Sequence, residues 1–298
     1  MADQKAIQAK IRSVGNIKKI TRAMEMIART KMQRRISSVL SIRPYALYAQ
    51  QLLLSLSREE GIESPYLSAG AGNKTLAVII ASDKGLCGGY NSNISRLLRS
   101  YVAERSNLEV VCIGKRARSE AKKLKLPVRL EFVDLPDQLT LADAEKVGVP
   151  IEKLFTSGEY SSVEIIYTDY VSSFSQKVKV RPLLPISKEL LEDLVEASAF
   201  QEEKGEKLEA QSLALYTLEP SAKAILESIV PTLINSSVLH SLLESRASEE
   251  SMRMFAMKNA TENANKLQRD LTLSYNRARQ QGITQEIAEI AGGAEALK

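Results

Sequence analysis

From Ser221 to about Ile290 the sequence contains a single glycine, Gly282, and its apolar and small residues recur at intervals of three and four. Met257, Ala260, Ala264, Leu267, Leu271, Ser274 and Ala278 keep that alternation unbroken, the spacing of a coiled-coil seam rather than the broader face of a globular helix. At ~1.5 Å rise per residue, roughly 70 residues make a rod on the order of 100 Å, far beyond the mean helix of ~11–12 residues. Such a rod cannot bury itself in one domain. It needs a partner along its length, and small residues at several seam positions let that partner approach closely.

The partner is at the other end of the chain. Ile7, Ile11, Val14, Ile17, Ile20, Met24 and Ile27 recur at intervals of four and three and predict one helical stripe. Only Gly15 is a poor helix former before Pro44, so helix is expected from about Asp3 to about Ser57, bent or loosened at Pro44. Two long terminal helices flanking one central unit can pair antiparallel. The C-terminal helix is the longer by about a dozen residues, on the same count of rise per residue. Its last turns, ending Ala291-Gly292-Gly293, are therefore expected to project past the start of the N-terminal helix.

Between the helices the periodicity changes. After a linker marked by Gly61, Pro65, Gly70 and Gly72, Thr75-Leu-Ala-Val-Ile-Ile-Ala81 is a continuous apolar run, as expected of a strand buried on both faces. Leu108–Gly114, Val128–Val133 and Val163–Asp169 repeat the type, with helical stretches near Asn93–Arg105, Arg116–Leu124 and Leu141–Phe155. That alternation predicts a Rossmann-like, mostly parallel sheet with covering helices. Gln176–Leu184, with Pro182 near its end, is expected as an edge strand in a hairpin, and Leu213–Leu218 as a last short strand. The acidic stretch 188–209 is expected as a surface loop. Glu219-Pro220-Ser221 supplies a helix start, with Ser221 as the cap. The fold class is α/β with a long antiparallel coiled coil: helix 1–57, α/β domain 70–218, helix 219–298.

Composition removes most chemistries. The one histidine, His240, and the two cysteines, Cys87 and Cys112, leave no material for a Ser-His-Asp triad, a multi-histidine metal site or a disulfide framework. No run reaches the 18 apolar residues of a membrane span, and Met1-Ala2-Asp3-Gln4-Lys5 lacks the apolar core of a secretory signal. Asn259-Ala260-Thr261 matches a glycosylation pattern by chance. The net charge of +5 is concentrated at one end: the first 43 residues carry eleven basic and two acidic groups, a net of +9, and the remainder is net −4. A localised positive face implies an acidic partner surface, nucleic acid or anionic lipid.

Three separated segments resemble one family. The first is Lys10-Ile-Arg-Ser-Val-Gly-Asn-Ile-Lys-Lys-Ile-Thr-Arg-Ala-Met-Glu-Met-Ile-Ala28, followed by Lys31-Met32. The second is Ser82-Asp-Lys-Gly-Leu-Cys-Gly-Gly-Tyr-Asn91, directly after the first strand. The third is Ala256-Met-Lys-Asn-Ala-Thr-Glu-Asn-Ala264, with Tyr275-Asn-Arg-Ala-Arg-Gln280 and Ile283-Thr-Gln-Glu286 after it. Together they resemble the gamma subunit of F-type ATP synthase, bacterial type.

The resemblance implies a central rotor shaft without catalytic, cofactor or metal residues of its own. It couples ion-driven rotation of the membrane c-ring to conformational cycling of the catalytic beta subunits. Its implied partners are the alpha and beta subunits of the alpha3beta3 ring, the epsilon subunit and the c-ring. It also implies a peripheral place on the cytoplasmic face of the bacterial inner membrane. Matched by motif, Lys18, Lys19, Arg22 and Met24 are the implied contacts to acidic loops of the catalytic subunits, and Arg279, Gln280 and Thr284 the upper ring contacts. The loop residues Ser82, Asp83, Lys84, Gly85, Cys87, Gly88, Gly89 and Asn91 are expected to form a structural turn in which Gly88 and Gly89 supply backbone freedom. Stretch 188–209 lacks the cysteine pair that photosynthetic relatives carry in an inserted loop, so thiol switching by that device is not expected.

Two other classes compete. A basic helix can bind nucleic acid, but this one carries an apolar stripe and no aromatic residue before Tyr45; the same stripe running past residue 50 argues against a cleaved targeting peptide. A nucleotide-binding α/β enzyme with a helical dimerisation arm is the other, since a glycine-containing loop follows the first strand. That loop matches neither G-x-G-x-x-G nor the Walker lysine motif.

Overall fold

The computed structural model of the chain describes residues 2–57, 64–186 and 221–296. Stretch 188–209 and the short strand expected at Leu213–Leu218 lie outside the described residues. The chain divides into two compact units, residues 31–251 and residues 1–30 with 252–298. Helix α1 (Ala2–Ser57) and helix α5 (Ala222–Ala296) each contribute to both units.

In the first unit, β1 (Lys74–Ile80), β2 (Leu108–Ile113), β3 (Val128–Phe132), β4 (Tyr160–Tyr170) and β5 (Gln176–Leu184) form one sheet in the order β3-β2-β1-β4-β5. The β1–β2, β1–β4 and β2–β3 pairs are parallel and β4–β5 is antiparallel. Helices α2 (Tyr90–Ala103), α3 (Lys115–Lys123) and α4 (Leu141–Thr156) connect the parallel strands. The central strand β1 is apolar throughout because both its faces are covered. Leu76, Val78 and Ile80 join a core with Val147 and Ile151 of α4, Val39 of α1, and Val230, Val238 and Leu242 of α5. Ala77 and Ile79, alternate along the strand, face the other way, where Ile94 and Leu98 of α2 and Ala117 and Ala121 of α3 are buried. Pro182 pairs with Glu164 on the edge strand β5, where a missing N–H is tolerated.

Helix boundaries follow local chemistry. Ser221 caps α5: its hydroxyl accepts the Ala224 N–H at 3.2 Å. Helix α1 continues through Pro44 and α5 through Pro231 without interruption. Thr140 caps α4 in a capping box, its hydroxyl accepting the Asp143 N–H at 3.4 Å while the Asp143 carboxylate accepts the Thr140 N–H at 3.1 Å. The Lys146 ammonium 2.8 Å from that carboxylate, then the two Thr140 donors, hold Asp143 down at about 2. A depressed carboxyl stabilises the fold above its ordinary, unfolded range and loses that contribution as pH falls through the folded value. Asp143→Asn should therefore lower the melting temperature at neutral pH, and the gap to the unsubstituted chain should close between about pH 4 and pH 2. A gap that widens in acid would contradict this assignment.

Candidate functional site

The second unit is a helical pair. Its direction is fixed by three pairings: the Thr21 and Thr261 hydroxyls stand 2.8 Å apart, a side chain at Gly15 would meet Gln268, and one at Gly282 would meet Gln4. Residue numbers rise on one helix as they fall on the other, so the pair is antiparallel. Because Gly282 stands beside Gln4, the last turns of α5 pass the start of α1, as expected from length.

The seam runs through Ile7, Ile11, Val14, Lys18, Thr21 and Ala28 on α1, and through Met254, Met257, Thr261, Ala264, Gln268, Leu271, Tyr275 and Ala278 on α5. Ala28, Thr21, Met254, Met257, Thr261 and Ala264 are buried. The small alanines and threonines among them bring the backbones close, and the two threonines satisfy each other: one hydroxyl donates across the seam, the other to a carbonyl of its own helix, Lys18 or Met257. Thr261→Val should cost about 1 kcal/mol, and the Thr21→Val/Thr261→Val double substitution less than the sum of the singles, because no hydroxyl is then left alone. Denaturant unfolding followed by helical circular dichroism checks this; strict additivity would contradict it.

This seam corrects the expected one. Ile17, Ile20 and Ile27 do not lie in it: they are 51%, 58% and 57% exposed, and Leu267 is 49% exposed. On α5, Ala260 is half-buried and Ser274 exposed, their places in the seam taken by Thr261 and Tyr275. Periodicity fixes the spacing of a stripe but not which of two adjacent tracks with equal spacing faces the partner helix. The track with small residues won, and the isoleucines were left on the outer surface.

The residues matched by motif fall into two groups along the helical pair, with Lys18 in the seam itself. Lys19 and Arg22 are exposed, and Lys18 and Met24 half-buried. Arg279, Gln280 and Thr284 are exposed, with the Thr284 hydroxyl donating to the Gln280 carbonyl at 2.9 Å. The structure does not gather them into one site. Arg279–Thr284 lie at the level of Gln4, and at ~1.5 Å per residue Lys18 is roughly 20 Å further along. Among the described residues, Lys18, Lys19, Arg22 and Arg279 make no ion pair with another side chain. Sequence reasoning missed the exposed apolar residues between and beyond these groups: Ile17, Ile20, Met26, Ile27, Leu273, Ile283, Ile287 and Ile290. The signal available was a second four-three track beside the first.

In the sheet unit, the loop after β1 is a knotted turn. The Asn91 side-chain amide donates to the Ser82 hydroxyl at 2.8 Å and to Cys87 Sγ at 3.2 Å, and the Ser82 hydroxyl donates to the Lys84 carbonyl at 2.7 Å. Asp83 accepts the Lys115 N–H at 3.0 Å, capping α3. Gly88 has φ +57°, as its expected freedom requires, whereas Gly85 and Gly89 stay outside the left-handed region. Gly89 therefore does not supply the freedom expected of it.

The crevice beyond the C-terminal ends of β1 and β4, where sheets of this topology bind ligands, is filled by α5. Ser245 donates its place there to the sheet: its hydroxyl accepts the Thr168 N–H at 3.2 Å, and the Ser248 hydroxyl donates to the Thr168 carbonyl at 3.2 Å. What remains is a cavity of about 30 Å³ between Ile80, Asp83, Tyr90, Gly114, Leu242 and Arg246. That is room for about one water, against the ~300–1,000 Å³ of a small-molecule site. An open groove of about 450 Å³ between α2 and α3 is lined by Arg96, Arg99, Arg116, Lys123 and Glu120, with no aromatic wall for a base. Cys87 and Cys112 are buried, and burial pushes the Cys112 thiol up to about 12. His240 sits against Glu244, Nε2 to Oε1 3.3 Å, and among the described residues no group of three or more His, Cys, Asp or Glu could hold a metal ion.

Comparison with known proteins gives this combination of helical pair and sheet a family. The ATP synthase family model (ATP-synt) matches residues 3–297. The ATP synthase gamma chain of Heliobacterium modesticaldum is 34% identical over 298 residues, and that of Desulfitobacterium hafniense 36% over 300, each covering the whole of both chains. Among solved structures, the chain resembles one from the central stalk and c-ring of the Tetrahymena thermophila mitochondrial ATP synthase, with TM-score 0.61 and 27% identity over 81% of this chain and 99% of that one. With a family match along nearly its whole length and relatives this similar end to end, the chain belongs to the ATP synthase gamma chain family.

Proposed function

We propose that the chain is the central rotor shaft of an F-type ATP synthase, transmitting ion-driven rotation of a membrane c-ring to the catalytic beta subunits of an alpha3beta3 ring. It is a non-catalytic stalk subunit. The observation that carries this is the outer apolar track of the helical pair, Ile17, Ile20 and Ile27, lying beside the basic Lys19 and Arg22. A monomeric protein gains nothing from half-exposed isoleucines on a rod; a sleeve that encloses the rod covers them.

Within that sleeve Lys18, Lys19, Arg22 and Met24 meet acidic loops of the catalytic subunits, and Arg279, Gln280 and Thr284 meet the upper ring. An exposed ion pair contributes only ~0–1 kcal/mol, so contacts of this kind can break and re-form as the shaft turns. The chain works as three segments: helix 1–57, α/β domain 70–218 and helix 219–298. The α/β domain sits next to the epsilon subunit and the c-ring. Among the described residues no helix is long and apolar enough to cross a membrane. The chain is held at the cytoplasmic face of a bacterial inner membrane through its partners.

The test is ATP hydrolysis by alpha and beta subunits reconstituted with and without this chain. Sustained turnover that requires the chain is expected. Equal turnover without it, or a tightly bound stoichiometric nucleotide on the purified chain alone, would favour the enzyme alternative.

A further inference from the structure

One cluster in the sheet unit is absorbed neither by the core nor by the ring contacts. Arg35 of α1 is buried, and its guanidinium has three partners: Asp137 Oδ1 at 2.6 Å, Glu250 Oε1 at 3.3 Å and the Arg246 carbonyl at 3.0 Å. Lys31, one turn earlier, reaches Asp137 Oδ2 at 2.8 Å. Arg246 of α5 in turn donates to the carbonyls of Leu135 at 3.0 Å, Asp137 at 3.4 Å and Pro136. Residues 135–137 form part of the connector between β3 and α4.

Three elements are thereby tied in a closed triangle: α1 to α5, α1 to the connector, and α5 to the connector. The arrangement brings two guanidinium groups together, Arg35 buried and Arg246 half-buried, and desolvation and the neighbouring Arg35 both push the Arg246 pKa down. Taking a charge out of water beside a like charge is costly unless it is well hydrogen-bonded. Elsewhere α5 meets the sheet through apolar side chains such as Val230, Val238 and Leu242 and through single hydroxyls of Ser245, Ser248 and Ser251, none of which also holds α1. Apolar contact resists separation but is non-directional, so it opposes sliding weakly. Directional, charge-assisted hydrogen bonds oppose it well. In sequence the triangle lies just inside the unit boundary, with Arg35 five residues beyond Thr30 and Glu250 two before Met252.

We propose that this clasp is the joint through which twisting force passes between the two helices and the α/β domain, with Arg35 as the positioning residue that fastens both helices to the connector. The proposal rests on the rotor function and goes beyond it by assigning the residues that carry torque into the domain. A lysine in place of Arg35 retains the charge but not the forked geometry that serves three partners at once, so it should fail nearly as badly as alanine.

The experiment uses the complete complex in liposomes, with ATP-driven ion pumping read by a membrane-potential dye and ATP hydrolysis measured in the same preparation. Arg35→Ala, Arg35→Lys and Asp137→Asn are compared. Asp137 is 60% exposed, so its substitution leaves the fold intact. Expected is hydrolysis within twofold of the unsubstituted complex with pumping per ATP reduced about fivefold for both Arg35 variants and about twofold for Asp137→Asn. An unchanged ratio of pumping to hydrolysis in all three variants would overturn the proposal. So would a proportional fall in both activities with loss of assembled complex, which marks a merely structural role. If alpha and beta subunits hydrolyse ATP equally well with and without this chain, the rotor function falls and the clasp with it.

Discussion

Replacing Ile17, Ile20 and Ile27 together by serine will leave the helical pair folded and strip it of most of its affinity for an enclosing ring. In the free chain these side chains are already 51–58% exposed, so their removal takes little from the fold. In an assembled sleeve the exposed half is covered. Full burial of an isoleucine contributes about 1.5–3 kcal/mol, so half of it at three sites gives roughly 2–4 kcal/mol. That corresponds to an affinity loss of about thirtyfold to a thousandfold. Titration of the alpha3beta3 ring with the substituted chain measures it. Unchanged affinity would mean that the outer track faces solvent in the assembly too.

The second large effect is expected in the sheet domain. Gly114, between β2 and α3, has φ +93° and ψ +148°, a region open essentially to glycine. A Cβ there would stand 2.2 Å from the Ala81 carbonyl oxygen, and Ala81 is tied by its own N–H to the Ile113 carbonyl. Strain and displaced backbone both fall on the central strands, so Gly114→Ala should cost on the order of 3–5 kcal/mol, a large share of the ~5–15 kcal/mol of an ordinary fold. Gly158 is the control: its φ is +83°, but a Cβ would meet nothing within 4 Å. Gly158→Ala should cost only the conformational part, about 1 kcal/mol. Calorimetric melting compares the two, and equal stabilities would show that the close approach at Ala81 relaxes freely.

The strands were legible in the sequence because a parallel sheet covered on both faces leaves continuous apolar runs; Thr75–Ala81 and Leu108–Gly114 could be little else. The helix start at Ser221 and the turn at Gly88 were legible for equally local reasons. The phase of the coil was not. Ile17, Ile20 and Ile27 repeat with the same spacing as Lys18, Thr21 and Ala28, and only the close approach allowed by Thr21, Thr261 and Ala264 decides between them. The clasp was invisible for a different reason. Arg35 meets Asp137 and Arg246, 102 and 211 residues away, and no periodicity links positions that distant. The candidate ring contacts were found through motif resemblance, while the apolar surface around them emerged only once the seam was placed.

The central claim is mechanical, and one measurement addresses it directly. With the alpha3beta3 ring fixed to a surface and a probe attached to the chain at the α/β domain, ATP should drive the probe around in one direction, with dwells that lengthen as ATP is made scarce. A probe that stays still, or merely fluctuates, while the same complexes hydrolyse ATP at full rate would contradict the account.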